Sequence, residues 1–204
     1  WLVVAAGLWR AEGLRDVLAA MARSVFAGLG WAVRGGQPPC SGAITRARER
    51  LGLRPMFRLL RHMAENWLAR HGEALRWRGM ALVALDGTAL RMPDSPRNRA
   101  YFGTHRSGRQ GKPSAYPFAN IVVALCAVSH VVLASAVGRS HTSEWRLVRR
   151  LLGKLPKRCL LLMDRGFLGC AWLQEVTREG HDFVVRFRRG RKLHHVRQIG
   201  PGEA

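Results

Sequence analysis

The sequence is short of acids. Its 204 residues hold 13 Asp and Glu against 34 Lys and Arg, a net charge of +21 with His neutral. Such an excess points to a polyanionic partner, nucleic acid ahead of an acidic membrane surface. Lysine is scarce too: 30 of the 34 basic residues are Arg. GC-rich coding explains Arg over Lys without function, but not the shortage of acids. Cysteine is limited to Cys40, Cys126, Cys159 and Cys170, with no C-x-x-C pair and hence no zinc cage. All but Cys40 sit in apolar runs, so the four read as reduced, mostly buried thiols of a cytosolic protein. No Walker loop or G-x-S-x-G elbow occurs. The opening WLVVAAGLW lacks a basic leader and a cleavage site, and is too short to span a bilayer. What is present excludes global disorder: 48% hydrophobic and 23% charged residues suffice for a core. The length suits one domain, or one domain with a small extension.

One stretch resembles a membrane span. Residues 113–138 carry no formal charge, and 121–137 are almost wholly apolar. Val and Ile dominate, however, and Ser129-His130 interrupts the run where a tight turn would sit. The stretch therefore reads as a buried hairpin, with strands at about 119–128 and 131–138.

Residues 1–78 read as a helical, basic segment. Leu14, Val17, Leu18, Met21, Val25 and Phe26 repeat at helical spacing. Gly35-Gly36-Gln37-Pro38-Pro39 is a loop. Ser41 is placed to cap a helix through Leu51, which Gly52 stops, and Pro55 suits the first turn of the next. The short joint between the two resembles a helix-turn-helix unit. Arg46, Arg48 and Arg50 on the first of these helices are candidate DNA contacts; a solvated Arg face on a small bundle reads equally well.

From residue 79 the period changes. Residues 80–85 form a buried strand ending at Asp86, and 159–163 another ending at Asp164. The intervening 87–117 read as a basic, Pro- and Gly-rich loop. Helices at about 142–155 and 168–179 and a strand at 183–187 follow. The order suggests a mixed sheet with helices packed on it. If the two acid-tipped strands are neighbours, Asp86 and Asp164 emerge at one end of the sheet. Paired carboxylates repel unless a cation lies between them, and Mg²⁺ takes oxygen ligands of this kind. The alternative is local: Asp-Gly commonly starts a turn.

These residues carry a resemblance. Asp86-Gly87-Thr88, then Pro93-Asp94-x-Pro96-x-Asn98 and Phe102-Gly103, is similar to the first catalytic block of insertion-sequence transposases of the insertion sequence four group. Leu161-Leu162-Met163-Asp164-Arg165-Gly166-Phe167, 78 residues later by the two acids, resembles the second. Tyr116-Pro117, the helix with Glu144 and the N-terminal Ala47-x-x-Arg50-Leu51-Gly52 fit the same layout. The resemblance implies a partial RNase H-like mixed sheet flanked by helices, residues 79–204, preceded by an all-α DNA-binding segment, residues 1–78. It implies an Asp-Asp-Glu transposase in which Asp86 and Asp164 hold Mg²⁺ or Mn²⁺ for strand cleavage and transfer on element ends and target DNA. It further implies duplex DNA as partner, no membrane, a homodimer in the synaptic complex, and a bacterial cytoplasmic, nucleoid-associated location. The group's third acid, in a Tyr-x-x-Arg-x-x-x-Glu pattern, is not found. After Asp164 come only Glu175, Glu179, Asp182 and Glu203. With Trp rather than Met at position 1, the chain reads as a fragment. A non-catalytic DNA-binding remnant or regulator is the alternative.

Other residues divide between roles. Arg165 suits a scissile phosphate or an ion pair with a carboxylate. Arg186, Arg188, Arg189, Arg191 and Lys192 form the densest basic run, a DNA-backbone contact or a charged strand edge. Arg97, Arg99, Arg106, Arg109 and Lys112 surround the loop after the first Asp and suit the same groove. Asn98 and Thr88 suit loop shaping. His141 and Glu144 have H-x-x-E spacing, better explained by helix-start electrostatics than by metal ligation. His194-His195 reads as surface. Trp67, Trp77, Trp145 and Trp172 read as core.

Overall fold

A computed structural model describes residues 2–9, 11–23, 39–107 and 112–187. The chain divides into two compact units, Trp1–Leu59 and Leu60–Ala204. In the first, α1 (Leu2–Leu8) and α2 (Leu14–Met21) bury Ala5, Val17 and Met21 together. The helical reading at Val25 and Phe26 and the loop at 35–38 lie outside the described residues. Helix α3 (Ser41–Leu51) buries Ile44 and exposes Arg46, Arg48 and Arg50. Its N-cap is Cys40 rather than Ser41, without a side-chain capping bond. Gly52 ends it at φ +66, a left-handed conformation that glycine adopts without strain. Helix α4 (Arg54–His71) then carries Pro55 in its first turn.

The second unit is α/β, a mixed sheet flanked by helices. A two-residue turn, Arg78 at φ 49 and Gly79 at φ 76, joins β1 (Arg76–Trp77) to β2 (Met80–Arg91). Trp77, expected in the core, is 48% exposed on this short strand, with the Arg78 guanidinium 4.9 Å from its ring centroid. Helix α5 (Pro96–Phe102) and β3 (Thr104–Ser107) occupy the segment expected to be loop. Then come β4 (Lys112–Cys126), β5 (Val132–Arg139), α6 (Glu144–Leu152), β6 (Cys159–Met163), α7 (Cys170–Arg178) and β7 (Asp182–Val185).

Strand β4 lies between β5 and β2, antiparallel to both. On the other side of β2, β6 and then β7 run parallel. Residues 113–138 thus form the expected hairpin, turning at residues 127–131 with His130 at φ 59. No helix among the described residues is long and apolar enough to cross a membrane.

Alternation builds the core. Val83 and Leu85 of β2, Val122 and Ala124 of β4, and Leu161 and Met163 of β6 are buried at period two. Helix α6 adds Leu147, Val148, Leu151 and Leu152, and α7 adds Trp172 and Val176. The polar faces of both helices stay outward: Arg149 pairs with Glu175 at 2.7 Å through both guanidinium arms. Cys126 and Cys159 are buried, the Cys159 thiol pushed up to about 12 by burial. Cys170, at the start of α7, is exposed rather than buried.

Candidate active site

The parallel ladder between β2 and β6 ends at Leu85 opposite Met163. Asp86 and Asp164 are the next residues on the two strands. They leave the ladder at the same end and with the same pleat parity. Asp164 directly follows the end of β6, but Asp86 lies within β2. That strand runs on to Arg91, paired with β4 alone, with Asp86 opposite Val123 and Arg91 opposite Phe118. Asp86 therefore marks the point where β2 outruns its parallel neighbour.

Each carboxylate is held by the main chain. Asp86 Oδ1 accepts from the Gly87 N–H at 2.8 Å. Asp164 caps the turn Arg165–Phe167, its Oδ1 accepting from the Gly166 N–H. Both side chains are exposed, and neither forms an ion pair among the described residues. The donor set is all oxygen, which suits a hard divalent cation such as Mg²⁺ or Mn²⁺.

Two glycines keep this end of the sheet open. A Cβ at Gly87 would meet Glu144 Oε1 at 2.6 Å, and one at Gly166 would meet Asp164 Oδ1 at 2.8 Å and Glu144 Oε2 at 4.0 Å. Neither glycine has a left-handed backbone. Space, not dihedral freedom, calls for glycine here. At Gly87 the missing side chain leaves room for the Glu144 carboxylate, and at Gly166 for that of Asp164. Among the described residues, no three His, Cys, Asp or Glu side chains converge as a ready-made cage.

Glu144 is the residue that sequence reasoning set aside as a helix-start charge. It opens α6, behind a loop that β4 holds: Asn120 Nδ2 donates to Ser140 O at 3.0 Å and Thr142 O at 2.9 Å. Asp-Gly and Asp-x-Gly at the two blocks were the available signal, since each places a missing side chain beside an acid. The acids after Asp164 go elsewhere. Glu175 is taken by Arg149, and Asp182 lies opposite Leu160, three residues back along β6. Glu203 lies outside the described residues.

The basic residues separate in the same way. Arg165 begins the turn after Asp164, exposed and in no ion pair among the described residues. The Arg186 N–H donates to Met163 O at 3.1 Å, which sets Arg186 at the acid end of the sheet. Arg99 is not a free groove cation. It pairs with Asp94 through both arms and donates to Ala115 O at 2.6 Å. That bonding holds the Asp94 carboxyl below the usual range. Asn98 Nδ2 closes the same loop on Pro93 O at 2.9 Å. Arg188, Arg189, Arg191, Lys192, Arg109, His194 and His195 lie outside the described residues, as do the side chains of Arg106 and Lys112.

The family model for the transposase DDE domain matches residues 77–203. Transposase InsG for insertion sequence element IS4, from Escherichia coli (strain K12), is 31% identical over 165 residues, covering 79% of this chain and 36% of InsG. InsZ of the same organism is 30% identical over 138 residues, covering 68% of this chain and 46% of InsZ. The chain spans less than half the length of either relative.

Proposed function

The chain belongs to the transposase DDE-domain family, and from that premise we propose that it serves cleavage and transfer of DNA strands at insertion-sequence ends. Asp86 and Asp164 are the metal-holding and catalytic carboxylates, with Mg²⁺ or Mn²⁺ as the cation. A divalent cation there supplies charge neutralisation for a phosphodiester undergoing in-line displacement. The observation that carries the reading is the register of Leu85 with Met163, which sets the two acids side by side.

The protein's own groups do the rest. Gly87 and Gly166 hold the two carboxylates by their N–H groups. Arg165 and Arg186 flank the acids and suit the phosphates on either side of the reacting bond. Arg46 and Arg50, one turn apart, give the helical unit an exposed cationic edge for DNA backbone, and exposed Arg48 adds charge on the other side of the helix. Arg188 and Arg189 extend the basic run beyond Arg186. Joining two element ends calls for two copies of the chain in the assembled complex.

The test uses iron as a probe. Fe²⁺ with ascorbate and hydrogen peroxide is added to the chain bound to end-labelled duplex carrying the element's terminal repeats. Focal cuts in the DNA, lost in Asp86→Asn and Asp164→Asn while binding persists, are the expected result. Uniform cutting that neither substitution changes contradicts the metal role and favours a bare DNA binder.

A further inference from the structure

We propose that the joint between α3 and α4 is an apolar wedge that opens a base step of the bound duplex; this rests on the DNA reading above. The joint carries three large apolar side chains in water: Leu51, Leu53 and Phe57 are 44%, 69% and 39% exposed. Leu51 stands two helical turns beyond Ile44, on the face that α3 buries, yet Ile44 is only 4% exposed. The apolar stripe therefore runs on past the packed core to the end of the helix. Leu53 and Phe57, one turn apart, are neighbours at the start of α4.

Local stability does not account for Leu53. Its carbonyl accepts from the N–H groups of Met56 and Phe57 at 3.0 and 3.1 Å, which puts it at the capping position of α4. Ser, Thr, Asp and Asn serve there by accepting a backbone N–H, which Leu cannot do. A large apolar group thus stands in water where a small polar one would steady the helix. The backbone holds it in place: Gly52 turns the chain at φ +66, its N–H donating to Arg48 O at 3.2 Å.

The surroundings select the occupant. Residues 46–58 hold Arg46, Arg48, Arg50, Arg54 and Arg58 against one acid, Glu49. All five Arg residues are exposed, and none forms an ion pair among the described residues. Arg54 and Arg58 make a row beside Leu53 and Phe57, while Arg48 and Arg50 flank Leu51. A second copy of the chain docked here face to face would bring like charge to this surface. Duplex DNA offers both complements in one groove: phosphates for the Arg side chains and, between two base pairs, an apolar surface for Leu and Phe. Such a wedge bends the duplex, and flexible pyrimidine–purine steps yield to it most readily.

The experiment places 2-aminopurine, which brightens when unstacked, at successive steps of the duplex carrying the terminal repeats. The whole chain is added to saturation. At least one step is expected to brighten about twofold or more with the parent and to stay dark with Leu53→Ser. That variant is expected to melt no lower than the parent, because Ser caps a helix better than Leu, so the loss is not one of folding. Arg46→Ala with Arg50→Ala is expected to weaken binding yet to brighten the same step at saturation. If every step that the parent brightens stays equally bright with Leu53→Ser, or none brightens although the parent binds, the wedge is overturned and the DNA reading stands. Self-association of the DNA-free parent in sedimentation, lost in Leu53→Ser, overturns it by assigning the joint to a second copy. Failure of the parent to bind duplex at all removes the DNA reading and this inference together.

Discussion

Truncating Trp172 tests how the core supports the acids. Its side chain is 1% exposed, and its indole N–H donates to Met163 Sδ at 3.4 Å. Met163 immediately precedes Asp164. Trp145, immediately after Glu144, meets the same indole edge-on at 6.1 Å, and Phe167 closes the turn that Asp164 caps. One aromatic layer therefore underlies both Asp164 and Glu144. Trp172→Ala at full burial is expected to cost about 3–5 kcal/mol. At about 2–4 °C per kcal/mol for a chain of this size, the melting temperature drops by roughly 6–20 °C. Trp172→Phe keeps a ring but loses the N–H and some volume, and is expected to cost roughly 1–2 kcal/mol. Thermal unfolding by circular dichroism reads both. Mn²⁺ titration of the folded Phe variant is expected to show affinity weakened by up to about tenfold. A Trp172→Ala variant melting with the parent, or a Phe variant with lowered stability and unchanged affinity, would refute the coupling of this layer to the site.

Three further outcomes follow from the structure. His181 is buried and its Nδ1 accepts from the Cys159 N–H at 3.2 Å; burial lowers its pKa, with Glu179 opposing. The unfolded chain then takes up a proton near pH 6.5 that the fold resists. Stability is full above that pH and falls as pH drops through it toward the lowered folded value. Urea unfolding between pH 5 and 8 should show this slope, and His181→Gln should flatten it. The Arg149–Glu175 pair, with side chains 46% and 34% exposed, should give a coupling of no more than about 1 kcal/mol in a double-mutant cycle, shrinking with salt. Replacing Arg46, Arg48 and Arg50 with Ala should weaken DNA binding across all sequences. A salt titration of the binding constant should show a slope shallower by about 1 for each phosphate that is no longer neutralised.

The helical segment was legible where capping and stop signals are local. Gly52 and Pro55 mark the joint between α3 and α4, and apolar periodicity marks β6 and the hairpin. The extension of β2 was not legible. Asp86-Gly87 is a turn dipeptide by local preference, but nine residue pairs with β4, from Val83–Cys126 to Arg91–Phe118, carry the strand through it. Helix α5 was hidden among prolines and glycines although its signals were present. Ser95 caps it, accepting from the Asn98 N–H at 3.2 Å, and Pro96 opens it. Of the site, the two Asp residues were visible because buried apolar runs deliver them. Glu144 was not, because its approach to Gly87 and Gly166 is made by tertiary packing of α6, which spacing along the chain does not encode. Trp77 and Cys170 were misread for a related reason. Apolar neighbours in sequence do not guarantee burial on a two-residue strand or at a helix start.

The central claim is that Asp86 and Asp164 form one metal site. It is tested most directly by Mn²⁺ affinity in the parent, Asp86→Asn, Asp164→Asn and the double variant. The expected result is that each single substitution removes most of the affinity and the second adds little, the non-additivity of ligands to a shared ion. Independent losses that add, or singles that bind as the parent does, would contradict a shared site.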